Sequence, residues 1–436
     1  MENGFFAALP AIWSKAWPII VAILFFGLII FIHEFGHFIF AKLFGVKVNE
    51  FALGMGPTIF KKQGKETKYA LHLFPIGGFC AMEGEEENSE DDRAFCNKKI
   101  WQRMIIVVAG ATFNVILGII ICMCIVGSQD YVGTNKILNF YEGAVSNSEG
   151  GLMKGDKIVA IDGKRVFSDY DISFLMQRNN SGKYSFTVER DGEKLNLPEV
   201  NFATRTGGNF SISPEAVISD VSAKLKRAGL KDNDKILKVN GAKVKNNEEV
   251  IAEIGKDDDR IINYTVERDG EKLDFENVEM QTVTVFDFVI LGADKNVLNV
   301  TSGAFGYAVS MSRMVYVSLF DLVRGKYGIT DLAGPVGTVS VIADVAQSSV
   351  QSADWSGLFT IMALITINIG LFNLLPFPAL DGGRLFLMLI ELIFRKPIPQ
   401  KYEGWINAAG LIILLAFMAV ISIIDIWKWV SGVGFF

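Results

Sequence analysis

The stretch FIHEFGHFIF, residues 31–40, sets His33, Glu34 and His37 inside an otherwise apolar run. Burying unpaired charge in a bilayer costs several kcal/mol, so the cluster needs a reason. On a helix, residues four apart share a face, so both imidazoles lie about one turn apart and can hold one metal ion. Glu34 adjoins the first histidine and can reach a metal-bound water. This HExxH spacing suits zinc, which takes two neutral imidazoles while a glutamate removes a proton from the water. The chain has three histidines, and two fall at this spacing. The bland alternative is a polar patch packed on a neighbouring span. His72 reads as an ordinary loop histidine.

Half of the 436 residues are hydrophobic, which makes a membrane protein the prior. Four apolar runs approach the roughly 20 residues that cross a bilayer: Pro18 to Phe44, Met104 to Val126, Leu358 to Phe377 and Trp405 to Ile426. The first continues into the His/Glu cluster without a cleavage site, so it is expected to be a retained anchor. Lys and Arg concentrate between spans one and two and between spans three and four, which predicts that both connections are cytoplasmic. The chain ends and the polar insert from about Gly127 to Gln281 then lie outside. The four cysteines avoid the insert, so no disulfide framework is implied. A net charge of -6 argues against a nucleic-acid partner, and the acidic run EGEEENSEDD, residues 83–92, reads as a solvated loop.

A tetrahedral site with an open position wants a third protein ligand. Span three ends in NLLPFPALDGG, residues 373–383, where two prolines break the helix and Asp381 follows. His33 lies 15 residues past Pro18, about 23 Å into the membrane, near the cytoplasmic end of span one. Span three runs in the same direction, so Asp381 reaches a similar depth. The competing reading is that Asp381-Gly382-Gly383 is only a turn.

The insert is duplicated. A shift of 78 residues lays TVERDGEKL, Thr187 to Leu195, on an identical TVERDGEKL, Thr265 to Leu273, and aligns residues 154–166 with 232–244. One offset matching two blocks marks a tandem repeat. Short β-branched runs, Asp-Gly and Asn-Gly turns and an intervening helix predict a small α+β unit. GLMKGDKIVAIDG and AGLKDNDKILKVNG resemble the GLxxGDxIxxING stretch of PDZ domains, which often bind an extended peptide as an added strand. Shielding or spacing without peptide binding stays open.

Taken together, HEFGH, GATFN (110–114), FPIGGFCAMEGEE (74–86), NLLPFPALDGG and the paired insert resemble the site-2 protease family of intramembrane zinc proteases, in the bacterial branch typified by regulator of sigma-E protease. The resemblance covers nearly the whole chain. It implies a polytopic α-helical membrane protein with four transmembrane helices and an inserted tandem pair of PDZ-like α+β domains. The expected divisions are a membrane core at 1–126, PDZ-like domains at 127–204 and 205–283, an extracytoplasmic linker with an amphipathic helix at 284–357, and a second membrane part at 358–436. It further implies His33, His37 and Asp381 as Zn2+ ligands, Glu34 as catalytic base, and substrate contact by Asn373, Gly77 and Gly78. Gly110 and Asn114 would pack helices, as a small residue and an amide at helical spacing also suggest.

The expected substrates are single-span membrane proteins of the bacterial inner membrane, such as trimmed anti-sigma factors or signal-peptide remnants. A helical substrate must unwind, so Tyr69 to Met82, with the composition of a hairpin, is expected to accept it as a strand. Residues 301–324 read as an interfacial amphipathic helix or one packed on the insert. Two other classes stay open: a membrane-anchored PDZ receptor or scaffold with a degenerate metal site, and a zinc protease of soluble substrates with its third ligand among Glu83 to Glu90.

Overall fold

The computed structural model describes residues 3–85, 87, 89–179, 181–206, 210–219, 221–256, 261–280, 282–325, 332–396 and 398–431. The chain divides into two compact units, Met1–Gln129 with Met311–Asp425, and Asp130–Ser310 with Ile426–Phe436.

The first unit opens with helix α1 (Asn3–Leu43), followed by strands β1 (Val48–Gln63) and β2 (Lys68–Met82). These strands form one hairpin, closed by Gly64 N–H donating to Thr67 O at 2.9 Å, and it extends beyond the expected 69–82 to take Val48–Gln63 as partner. Both strands double back where glycines take positive φ, +83° at Gly54, +88° at Gly56 and +78° at Gly77, a backbone that other residues enter only with strain. As a result Phe51 faces Cys80 on one side and Tyr69 on the other, Ala52 faces Phe79 and Ala70, and Leu53 faces Gly78 and Leu71. Residues 50–53 are thus interior to the sheet, and 78–82 form an outer edge. His72 lies in β2, not in a loop, with its Nδ1 2.8 Å from Gly56 O. Met55, Ile59, Phe60, Leu73 and Phe74 of this sheet are exposed.

Helix α2 (Ile100–Ser128) packs along α1. Gly36 permits the close approach, since a Cβ there would lie 2.6 Å from Ala109 O.

In the second unit the elements of the first repeat from residue 157 onward return 78 residues later. Strands β3 (Val132–Phe140), β4 (Lys157–Ile161) and β5 (Lys164–Arg165), helix α3 (Asp169–Asn179), and strands β6 (Lys183–Arg190), β7 (Glu193–Asn201) and β8 (Thr204–Thr206) come first. Strands β9 (Ser211–Ile212) and β10 (Ile218–Ser219) and helix α4 (Ala223–Arg227) lead into the second copy. It comprises β11 (Lys235–Val239), β12 (Ala242–Lys243), α5 (Asn247–Ile254), β13 (Ile261–Arg268), β14 (Glu271–Glu279) and β15 (Thr282–Thr284). The equivalent strands β8 and β15 pair with each other, Thr204 with Thr284 and Thr206 with Thr282, which relates the copies by a local two-fold.

The two cores correspond as well: Ile158, Ile172, Phe186 and Val200 fill one, and Ile236, Val250, Tyr264 and Val278 the other. Strand β16 (Phe288–Ala293), in the stretch expected to begin a linker, joins the first copy's sheet in the order β16-β3-β4-β6-β7. Helix α6 (Val297–Val323) covers the expected amphipathic segment. Its first half packs on the first repeat, with Tyr307 edge-on to Tyr170 and Ser310 Oγ 2.8 Å from Ser168 Oγ. Of the GITDLAGPVG segment that follows, residues 328–331 lie outside the described residues.

The first unit resumes with α7 (Pro335–Ser352), α8 (Ser356–Asn373), α9 (Asp381–Phe394) and α10 (Gln400–Ser431). Helix α7, which the hydropathy pattern did not single out, packs Ile342 and Ala346 against Ala22, Phe25 and Ile29 of α1. Its first turn is capped from α10, where buried Asp425 accepts from Gly334 N at 3.2 Å and Gly337 N at 2.8 Å. Among the described residues four helices are long and apolar enough to cross a membrane: Ala16–Leu43, Ile100–Ser128, Ser356–Asn373 and Lys401–Lys428. The third ends at Asn373, before the prolines, rather than at Phe377.

Candidate metal centre

Helix α1 places His33 and His37 one turn apart, with Nε2 atoms 3.2 Å from each other. Asp381, the first residue of α9, brings Oδ2 to 3.2 Å from His33 Nε2 and 3.3 Å from His37 Nε2. After α8 the chain turns through Leu374–Leu380, with Ala379 at φ +73°. The two glycines after Asp381 let α9 start hard against that turn. A Cβ on Gly382 would overlap the Leu374 and Leu375 carbonyls, and one on Gly383 the carbonyl of Phe377.

The donor set fits zinc. His37 Nδ1 lies 2.8 Å from Ile106 O, so it carries the proton and leaves Nε2 as a lone pair. Asp381 Oδ2 is buried and accepts no hydrogen bond. Three atoms about 3.2–3.3 Å apart, none needing to bring a proton, repel one another unless a cation lies between them. Bonds of about 2.0–2.1 Å in tetrahedral geometry separate ligands by about 3.3 Å, matching these distances. Among the described residues, this is the one cluster of three or more such groups within 4.8 Å.

The triad opens into a cavity of about 580 Å³, lined also by Glu34, Gly78–Glu85, Glu87, Ser89 and Arg384. Gly78 faces Glu34 directly, since a Cβ on it would fall 3.2 Å from Glu34 Cγ. Gly77, within β2 at φ +78°, is not among the lining groups, and neither is Asn373, the half-buried last residue of α8.

Part of the acidic run expected to be a solvated loop lines this cavity, while Glu87, Glu90 and Asp92 are exposed. Two of its side chains are tied down: Glu83 accepts from Asn49 Nδ2 at 3.0 Å and Ser89 Oγ at 2.8 Å, and Glu85 pairs with Arg384. Asn49, Ser89 and Lys47 hold the Glu83 carboxyl at about 2, below the usual carboxylate range.

A family model described as peptidase family M50 matches residues 21–417. The chain belongs to this family. Its members are the site-2 proteases, and the chain is a zinc metalloprotease. It is 32% identical to a Clostridium acetobutylicum protein named as a zinc metalloprotease, over 94% of this chain and 97% of that one. To the regulator of sigma-W protease RasP of Bacillus subtilis it is 26% identical, over 94% and 98%. To the protease eep of Enterococcus faecalis it is 28% identical, over 94% and 99%.

For an M50 peptidase, a scaffold role with a degenerate metal site loses its support, because no donor of the triad is missing. The alternative third ligands among Glu83 to Glu90 do not join the cluster of donors that the described residues bring together; Glu86 lies outside the described residues.

Two features of the site escaped the sequence reading. Arg384, one turn beyond Asp381, faces the cavity. Asn114, read as a packing residue, lies with Nδ2 3.4 Å from His33 Nδ1. Gly110 does pack closely: a Cβ there would overlap His37 Nε2 and lie 2.9 Å from His33 Cε1.

Proposed function

We propose that the chain is an intramembrane endopeptidase that cuts the membrane segments of single-span proteins, with His33, His37 and Asp381 holding zinc and Glu34 as the base. The supporting observation is that one cavity contains the three donors, Glu34 and the outer edge strand 78–82.

Bound zinc supplies a water acidified toward neutral pH and a positive charge beside the scissile carbonyl. Glu34 would take a proton from the attacking water as its oxygen bonds to the scissile carbonyl carbon, and would return that proton to the departing amide nitrogen as the C–N bond breaks, so the base becomes the acid. A helical peptide bond is sterically hidden and its carbonyl already hydrogen-bonded. The edge strand offers the unwound substrate replacement partners along its backbone, and Gly78 lets that backbone come close to Glu34.

In this reading the β1–β2 loop faces the cytoplasm and the insert lies outside an inner membrane, as the Lys and Arg distribution indicates. The copies at 127–204 and 205–283 act as a PDZ-like pair that excludes bulky ectodomains, so that trimmed anti-sigma factors or signal-peptide remnants are admitted. Asn373 at the end of α8 and Gly77 at the sheet's bend would contact substrate only once it has entered.

The test is cleavage of a single-span substrate in proteoliposomes by wild type, Glu34→Gln and Asp381→Ala, with zinc content measured in each. Glu34→Gln should keep zinc and lose cleavage, and Asp381→Ala should lose both. Cleavage by Glu34→Gln at the wild-type rate would end the proposal.

A further inference from the structure

We propose that Asn114 is a positioning residue for the metal centre: its side-chain oxygen accepts the Nδ1–H of His33 and thereby keeps Nε2 of that ring as the nitrogen presented to the ion. The inference rests on the reading of His33 as a ligand.

His33 Nε2 faces Asp381 Oδ2 and His37 Nε2. A neutral imidazole that presents Nε2 carries its proton on Nδ1. Asn114 is fully buried, its Nδ2 is 3.4 Å from that Nδ1, and its Oδ1 has no hydrogen-bond partner. Two donors would then confront each other while a buried acceptor stands idle, which costs about 1–3 kcal/mol. A half-turn of the amide exchanges its oxygen and nitrogen without changing its shape. The oxygen then meets the Nδ1–H.

The same helix already does this for the other ligand, because Ile106 O accepts from His37 Nδ1 at 2.8 Å. Ile106, Gly110 and Asn114 fall every fourth residue on one face of α2, opposite His33 and His37 at the same spacing on α1. The bare Gly110 between them leaves room for both rings. From the far side Gly370 of α8 approaches Asn114 closely, since a Cβ there would lie 3.3 Å from Asn114 Cβ, and this holds the amide in place. Such partners fix a histidine's tautomer and ring angle, and their loss costs about 10–100-fold in metal affinity.

The experiment is chelator competition on the purified, zinc-loaded full chain, comparing wild type with Asn114→Leu, Asn114→Asp and His33→Ala. Asn114→Leu keeps the branching and the number of heavy atoms and removes the acceptor, so it should release zinc about 10–100-fold more readily. Asn114→Asp can only accept, and should hold zinc at least as tightly as wild type. Wild-type retention by the leucine variant, with His33→Ala defective, overturns the proposal. So does an aspartate variant as weak as His33→Ala, which would show that the amide donates. If the leucine variant does not fold, the aspartate variant alone decides. Zinc held normally by His33→Ala would instead refute the ligand reading.

Discussion

Arg384 and Glu85, 299 residues apart, form an ion pair that ties the cavity's edge strand to the helix carrying Asp381. The other oxygen of Glu85 accepts from Met82 N at 3.2 Å, at the end of that strand. Farther along α9, Glu391 pairs with Arg103 of α2 at 2.6 Å. Asp381, Arg384, Met388 and Glu391 therefore make one inward stripe, whereas Phe386, Leu389, Leu392 and Ile393 are exposed. The helix is amphipathic with its charges turned inward.

Cutting the Arg384–Glu85 tie should misplace the strand relative to the metal. A displacement of about 1 Å can cost about 10²-fold in rate. Arg384→Ala is expected to lose activity on that scale while zinc content stays at the wild-type level. The exchanged pair Arg384→Glu with Glu85→Arg should recover part of it, measured as kcat/KM on a single-span substrate.

Gly78 stands against Glu34, the proposed base. A methyl group there meets Ile30 Cγ2 at 2.9 Å, Ala52 O at 3.0 Å and Glu34 Cγ at 3.2 Å. Because the Ala52 carbonyl is held in the sheet, the side chains of Ile30 and Glu34 are the groups that yield. Gly78→Ala should lower kcat by about tenfold or more with zinc retained, and a zinc assay beside the kinetics separates this from loss of the metal.

The repeated insert hides one charged pair per copy. Arg190 binds Asp156 at 2.7 and 2.8 Å and Arg268 binds Asp234 at 2.6 and 2.7 Å, with both aspartates fully buried. Each arginine also donates to a glycine carbonyl, Gly151 O or Gly229 O. Removing one arginine strands a buried carboxylate, so Arg190→Ala and Arg268→Ala should each destabilise their copy by about 3–5 kcal/mol. Limited proteolysis of the full chain across a denaturant series should register the loss in the altered copy.

The cavity wall should be insensitive to pH near neutrality. With its folded pKa depressed to about 2, Glu83 contributes stability that is fully present above the ordinary carboxylate range of about 4.3 and is lost as pH falls through about 2. Protection of residues 83–89 from protease should therefore be constant between pH 8 and pH 5, and Glu83→Gln should weaken it across that whole window.

The parts of this molecule legible in the sequence were those that obey a fixed period or an expensive burial. His33 and His37 declare themselves through the helical repeat and the cost of polarity in lipid. Asp381 follows from the proline break and the glycines, and the 78-residue offset foretells every matched strand. What stayed hidden depends on long-range register. Nothing local says that Val48–Gln63 bends at Gly54 and Gly56 so that Glu50–Leu53 lie inside the sheet, or that Phe288–Ala293 returns to the first repeat. Asn114 was ambiguous for a chemical reason, because a small-residue and amide motif serves helix packing and hydrogen bonding equally well.

The edge strand provides the decisive test of how substrate binds. Residues 78–82 pair with β1 on one side only among the described residues, so alternate backbone N–H and C=O groups face the cavity side. Met82 N–H is already committed to Glu85, which leaves Gly78 to Ala81 as the available rung. Proline lacks the N–H, so a proline at a residue whose N–H points outward removes a substrate bond without breaking the pairing to β1. In a scan over these four positions, the outward-facing ones should lose cleavage of a single-span substrate while keeping zinc. The inward-facing ones should disturb the sheet itself and expose it to protease. Uniform wild-type cleavage across the scan would reject strand addition and leave the metal centre untouched.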